Sequence, residues 1–399
     1  MRKLILSAAI LLTGFALSAQ DVTGWRGFRN AMYPDATPPT QWGTETNVKW
    51  TTPIDKPTEA WGNASPIVVG DRIFVTSEKS NILCFSLKDG KLLWDASQDY
   101  PDVGAEVPEK IPPTHPDNGY VSPTIASDGK QVYFLTGLGT FGAYTLDGKR
   151  VWGRALPRPG HGWGHSASPI FVGNNVVVHV GGHLMTLDKA TGDTLLDVAA
   201  GEGSWGTPVV LKAGEKTIIV TAGGAWYNAA DGEPIAGGVQ PFPWGSPVAV
   251  DNVVYHFDEH DTDGASAYTV NDDGTPKKLW VTKIPKERHY ASPIVYEGLV
   301  YALSANGRLL VLDITDGTII YEKKLDFGDK MTAYPSPFFA NGLIYLSGDS
   351  GVTFVIKPGR EYEEVARNEF TPFRATPVPV GKKLIIRTKE DLSCLEVAE

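Results

Sequence analysis

Through most of the chain, short apolar runs are cut at close intervals by Gly, Asp or Asn, the pattern of β-strands joined by tight turns. SPIVVGDRIFVTS (65–77) reads as one hairpin, and NILCFSLKDGKLLWDAS (81–97) as a second that turns at Asp89-Gly90. Together they predict a four-stranded antiparallel sheet. The same order returns in ASPIFVGNNVVVHV (167–180) with LMTLDKATGDTLLD (184–197), and in ASPIVYEGLVYALS (291–304) with RLLVLDITDGTIIY (308–321).

Each copy opens on a Ser/Thr-Pro pair, with its proline at Pro66, Pro123, Pro169, Pro208, Pro247, Pro293, Pro337 or Pro377. The mean spacing is about 44 residues, the length of a propeller blade. Copies at Pro208 and Pro337 are blurred in their second hairpins, where Asp231-Gly232 and Pro358-Gly359 still mark the turn. The last copy (376–397) ends after three strands, while Asn47-Val48-Lys49-Trp50 reads as an outer strand with no partners before it. The two fragments complete one blade, which closes the ring and leaves no exposed edge. The expected fold class is all-β: an eight-bladed β-propeller of four-stranded antiparallel blades, closed by an N-terminal strand.

The pattern Leu-x-Ala-Leu-Asp-x-x-Thr-Gly-x-x-x-Trp, present as LMTLDKATGDTLLD and less fully as LCFSLKDGKLLW, resembles the PQQ-type (pyrroloquinoline quinone) propeller repeat over residues 45–399. Similar repeats occur in quinoprotein dehydrogenases, in non-catalytic scaffolds and in the BamB-like propeller of outer-membrane assembly, so the resemblance implies a fold more than an activity. Trp50, Trp94, Trp152 and Trp280 end outer strands, where large rings are expected to pack between neighbouring blades.

Before the repeats, Met1-Arg2-Lys3 and an apolar run from Leu4 to Leu17 predict a secretory signal peptide over residues 1–20, followed by an N-terminal extension (21–44). No cysteine follows the run, so no lipid anchor is expected, and no later segment is a membrane span. A periplasmic or secreted protein follows. Losing Arg2 and Lys3 takes the formal net charge from −10 to −12, which argues against a nucleic-acid partner. The two cysteines, Cys84 and Cys394, sit in alternating apolar strands and read as buried small hydrophobes.

Candidate chemistry lies on the funnel face, where connections between blades and turns between second and third strands converge. An aromatic precedes each Ser/Thr-Pro: Trp61, Tyr120, Trp163, Trp205, Trp244, Tyr290, Tyr334 and Phe373, the last beside Arg374. Eight such residues predict an aromatic ring around the axis, suited to stacking a sugar or a planar quinone, or else wedges between blades. All eight histidines map to the same face: His115, His161, His165 and His289 in interblade connections, and His179, His183, His256 and His260 at turns. HGWGH (161–165), HFDEHDTD (256–263) and ERHY (287–290) are its densest polar stretches. None has the spacing of a metal motif, and no metal is expected. A Pro- and acid-rich insertion (95–119) is expected to overhang the funnel.

The expected function is a binding or scaffolding module that engages a protein or glycan through the funnel face, with no cofactor. PQQ with calcium in a quinoprotein dehydrogenase is the alternative. The resemblance itself argues against it, because the vicinal cysteine pair of such eight-bladed enzymes is absent and the chain is much shorter. A carbohydrate-binding or carbohydrate-active propeller is the second alternative.

Overall fold

The computed structural model describes residues 21–28, 30–54, 61–110, 114–201, 205–236, 239, 241–242, 244–257 and 264–398. The expected leader (1–20) and His260 lie outside them. The described residues form eight antiparallel sheets of four strands arranged as propeller blades, one of which gains a short fifth, parallel strand from the N-terminal segment. Blade 1 runs Ile67–Val69, Arg72–Ser77, Asn81–Ser86, Leu92–Ser97 from the axis outward, and blades 2 to 7 repeat this order. Blade 8 combines Val378–Val380, Lys383–Arg387 and Asp391–Glu396 with Val48–Pro53, whose Trp50 pairs with Cys394. An outer strand from the start of the chain thus closes the ring. Among the described residues, no helix is long and apolar enough to cross a membrane.

Burial follows position in the blade. The second and third strands are packed between neighbouring blades on both faces, so Arg72–Ser77 and Asn81–Ser86 are buried almost throughout. Outer strands have one wet face and alternate, as in Leu92–Ser97. Every blade also carries a register shift between its third and fourth strands. In blade 2, Trp152 pairs with Ala143 and Arg150 with Tyr144, which leaves Val151 as the extra residue. Leu93, Val151, Leu195, Leu279 and Val365 are such residues, which explains why large apolar side chains stand exposed on outer strands. The bulge turns the next side chain toward the following blade.

That side chain is Trp94, Trp152, Trp280 or Trp50 in blades 1, 2, 5 and 8. Trp94 Nε1 donates to Leu146 O (2.9 Å), Trp152 Nε1 to Lys189 O (2.9 Å) and Trp280 Nε1 to Ile314 O (2.8 Å). Each indole lies over the turn glycine of the next blade: a Cβ on Gly90, Gly148, Gly192 or Gly317 would stand 2.5–2.7 Å from Trp50, Trp94, Trp152 or Trp280. The Thr/Asp-Gly and Trp of the repeat are therefore the two halves of one interblade joint.

Near the axis the blades are laced by a second device. Each inner strand opens with a hydroxyl residue, and all but Ser65 accept the backbone N–H of the counterpart one blade earlier: Ser65 N to Thr124 Oγ1, then onward through Ser168, Thr207, Ser246, Ser292, Ser336 and Thr376, at 2.9–3.1 Å. The ring contains seven such bonds. At the closing seam the guanidinium of Arg387 takes over, donating to Thr76 O (2.7 Å) and Ala64 O (3.4 Å) of blade 1.

The extension at 21–44 is part of the fold. Val22 and Val68 exchange backbone hydrogen bonds, Thr23 O accepts from Ser127 N, and Phe28 meets Phe171. Asn30 Nδ2 donates to Ala249 O, Arg26 Nη2 to Pro293 O, and Met32–Tyr33 adds a short parallel strand to Phe338–Ala340. Thr37 N then reaches Gly381 O. These partners belong to seven of the eight inner strands or their turns, so the segment crosses the axial channel and closes it. Its Arg26 is fully buried, and burial pulls its pKa down to about 10, still well above neutrality.

Candidate functional site

Inner strands start at one face and run away from it, so the interblade connections and the hydroxyl ring surround a single axial cavity of about 610 Å³. This lies within the range of small-ligand sites. Its floor is Trp25, carried by the crossing N-terminal segment. Six ring hydroxyls form its lower wall: Thr124, Ser168, Thr207, Ser246, Ser292 and Thr376. Its upper wall comes from the residues two positions before the ring hydroxyl in each of the eight blades: Asn63, Ser122, Ser166, Trp205, Trp244, Tyr290, Tyr334 and Arg374.

The expected eight-aromatic ring is thus corrected to an arc. Trp205, Trp244, Tyr290 and Tyr334 line one side, Trp163 joins them from the mouth, and the other side is polar. Tyr120, Trp61 and Phe373 are not lining residues. They precede their ring hydroxyls by four, four and three positions rather than two, so the strand register turns them elsewhere. Phe373 is fully buried in the core shared by blades 6, 7, 8 and 1. Tyr120 packs between blades 1 and 2, with its backbone N–H held by Glu78 Oε1 at 2.8 Å. Trp61 stacks behind Arg374 at 4.5 Å. In blade 2 the ring hydroxyl is Thr124, after Pro123, which is why counting from Ser-Pro misplaced the register there.

Within the arc the rings are interlocked. Tyr290 and Tyr334 stack at 4.7 Å, Trp244 meets Tyr290 edge-on at 5.8 Å, and Arg288 lies over Trp244 and donates to Tyr290 Oη. Arg374 is clamped between Trp61 and Tyr334, the latter at 4.1 Å, and pairs with Asp117 at 3.0 Å and Asp349 at 3.5 Å. Burial raises the pKa of Asp349, offset by the Thr332 amide and Arg374. Near the mouth, His115 stacks on Trp163 at 3.9 Å and His161 tilts onto Trp205 at 4.6 Å. The 95–119 insertion supplies Asp117 and Asn118 to the rim, and Asn118 Nδ2 ties it to Trp163 O and Ser166 Oγ.

The other histidines divide by environment. His165, His179 and His256 are buried, each with Nε2 on a backbone oxygen of a connection: Pro157 (3.0 Å), Gly201 (3.1 Å) and Pro241 (2.8 Å). Desolvation holds His165 down at about 4 and also lowers His179, so both are neutral at ordinary pH. These three pin connections to blades. His289 is buried against Phe257, and His183 is half-buried and pairs with Asp197 at 2.7 Å. None of His165, His179, His183, His256 and His289 lines the funnel. No group of three or more His, Cys, Asp or Glu side chains placed to hold a metal occurs among the described residues. Cys84 and Cys394 are buried free thiols in third strands, each pushed up to about 12 by desolvation.

Sequence reading missed Trp25, Asn63, Asp117, Asn118, Ser122, Ser166 and Arg288. The usable signal was the constant offset of two from the ring hydroxyl, which reaches polar residues in the first three blades.

Comparison with known proteins places this geometry. The BamB outer membrane protein assembly factor of Burkholderia pseudomallei (strain K96243) is 24% identical over 351 residues, spanning 72% of this chain and 82% of that relative. The crystal structure of BamB from Moraxella catarrhalis superposes with a TM-score of 0.63 at 13% identity, covering 88% of this chain and 98% of that one. Quinohemoprotein alcohol dehydrogenase ADHIIG from Pseudomonas putida HK5 also reaches 0.63, at 12% identity and with 95% and 80% covered, a likeness of fold alone. The family model described as outer membrane protein assembly factor BamB matches residues 41–162 and 139–399, nearly the whole ring, and the chain belongs to that family of PQQ-repeat propellers.

Proposed function

We propose that the chain is an exported, non-catalytic binding module that engages its partner through the funnel face. The observation that carries this reading is the axial cavity into which all eight interblade connections deliver a side chain. The BamB relatives, named for outer-membrane protein assembly, favour a partner-holding role over turnover. Three of the four buried histidines, His165, His179 and His256, are engaged with backbone oxygens, which leaves few groups poised for proton transfer.

The dehydrogenase reading requires the wall to hold PQQ and calcium. Among the described residues the lining contributes one carboxylate, Asp117, already paired with Arg374, whereas calcium takes six to eight oxygen ligands rich in carboxylate. The described lining residues do not fit that group. Titration of the purified protein with PQQ and calcium, followed by absorbance and by dye reduction with a panel of alcohols, is expected to give neither saturable binding at micromolar cofactor nor turnover. Saturable binding with alcohol-dependent dye reduction would overturn the non-catalytic reading.

A further inference from the structure

We infer that the funnel is a receptor for the terminal rings of a neutral glycan chain, an inference that rests on the binding-module reading above. The lower wall supplies the first argument. Each of its six ring hydroxyls uses its oxygen to accept a backbone N–H from the preceding blade, and its own hydrogen has no acceptor among the described residues. The wall therefore presents a circle of O–H donors. A sugar edge, dense in acceptor oxygens, meets such a circle from any rotation about the axis.

Above that circle the arc offers aromatic surface on one side and amide, hydroxyl and carboxylate groups on the other. A pyranose has the matching division, with apolar C–H faces and polar edges. Charge points to a neutral ligand: Arg374 is paired with Asp117 and Asp349, and Arg288 lies over Trp244 and donates to Tyr290 Oη, so both guanidiniums are engaged within the wall. An extended peptide is less well served, because strand-like binding needs free backbone donors and the ring amides are already engaged. Finally, Trp25 and the crossing segment stop the channel. A chain cannot run through, so only its end enters.

The test is tryptophan fluorescence titration of the whole protein with neutral oligosaccharides, from mono- to hexasaccharides of the cellulose, maltose, chitin and mannan series. At least one series should give a saturable change whose affinity rises over the first two or three rings and then levels, as later rings emerge into solvent. Trp205→Ala is expected to weaken that binding roughly tenfold. Trp163→Ala, at a more exposed ring, serves as the second variant if the first fails to fold. Failure of all four series overturns the glycan assignment, as does affinity that climbs steadily to the hexasaccharide, which belongs to an open groove. Because PQQ binding is read separately, a glycan failure without cofactor binding leaves the module reading standing, and cofactor turnover removes both.

Discussion

Replacing Arg387 with Met is expected to destabilise the protein by about 3–5 kcal/mol, measured as a lowered denaturant midpoint. The side chain is 1% exposed and lies where the ring closes between blades 8 and 1. Its Nη2 and Nη1 satisfy Thr76 O and Ala64 O, and the Glu78 carboxylate favours its charge. Burial lowers its pKa to about 10, so the group remains protonated at neutral pH and the charge must be balanced in place. Methionine fills comparable volume but strands two buried carbonyls and removes the positive charge that faces Glu78. Near the axis the hydroxyl lacing does not back it up, because Ser65 Oγ, the hydroxyl at this joint, has no hydrogen-bond partner among the described residues. The loss should therefore appear first as faster hydrogen exchange in Val48–Pro53 and Asp391–Glu396. A cost below about 1 kcal/mol would show that the seam is held by the closing strand alone.

Trp152→Ala is expected to cost about 3–5 kcal/mol, the usual range for emptying a buried indole site. Trp152 is 9% exposed, packs edge-on against Phe141 at 5.3 Å, and bridges to blade 3 through Lys189 O and Gly192. Gly192→Ala is destabilising by a different route. Its φ of +73° disfavours any side chain, and the new Cβ would lie 2.6 Å from the indole. If ring and glycine form one joint, the double variant costs less than the sum of the singles, because removing the indole frees space for the alanine methyl. Strict additivity would contradict the joint.

The architecture was readable because the repeat is a local pattern imposed eight times. Ser/Thr-Pro starts, Gly turns and outer-strand Trp residues all encode backbone geometry, and the broken last copy pointed to the orphan strand at Trp50. The site was less legible. Searching for the aromatic nearest each Ser/Thr-Pro found Trp205, Trp244, Tyr290 and Tyr334, because in those blades it also stands two residues before the ring hydroxyl. The same search picked Trp61, Tyr120 and Phe373, whose extra spacing moves them out of the wall. Arg374, flagged beside Phe373, is the residue that occupies the lining position in blade 8. The crossing segment was unreadable for another reason. Residues 21–44 lack periodicity, and their order comes from scattered hydrogen bonds to seven blades, a tertiary property with no local signature.

The most direct test of the funnel as the binding face is hydrogen exchange on the whole protein, with and without a pool of the neutral trisaccharides. With the funnel as the binding face, exchange slows in the interblade connections around 114–120, 158–166 and 286–290 and around Trp25, with no change in turns at the opposite ends of the inner strands, such as Gly70-Asp71 and Gly173-Asn174. Protection at those opposite turns, or at neither set, would contradict it.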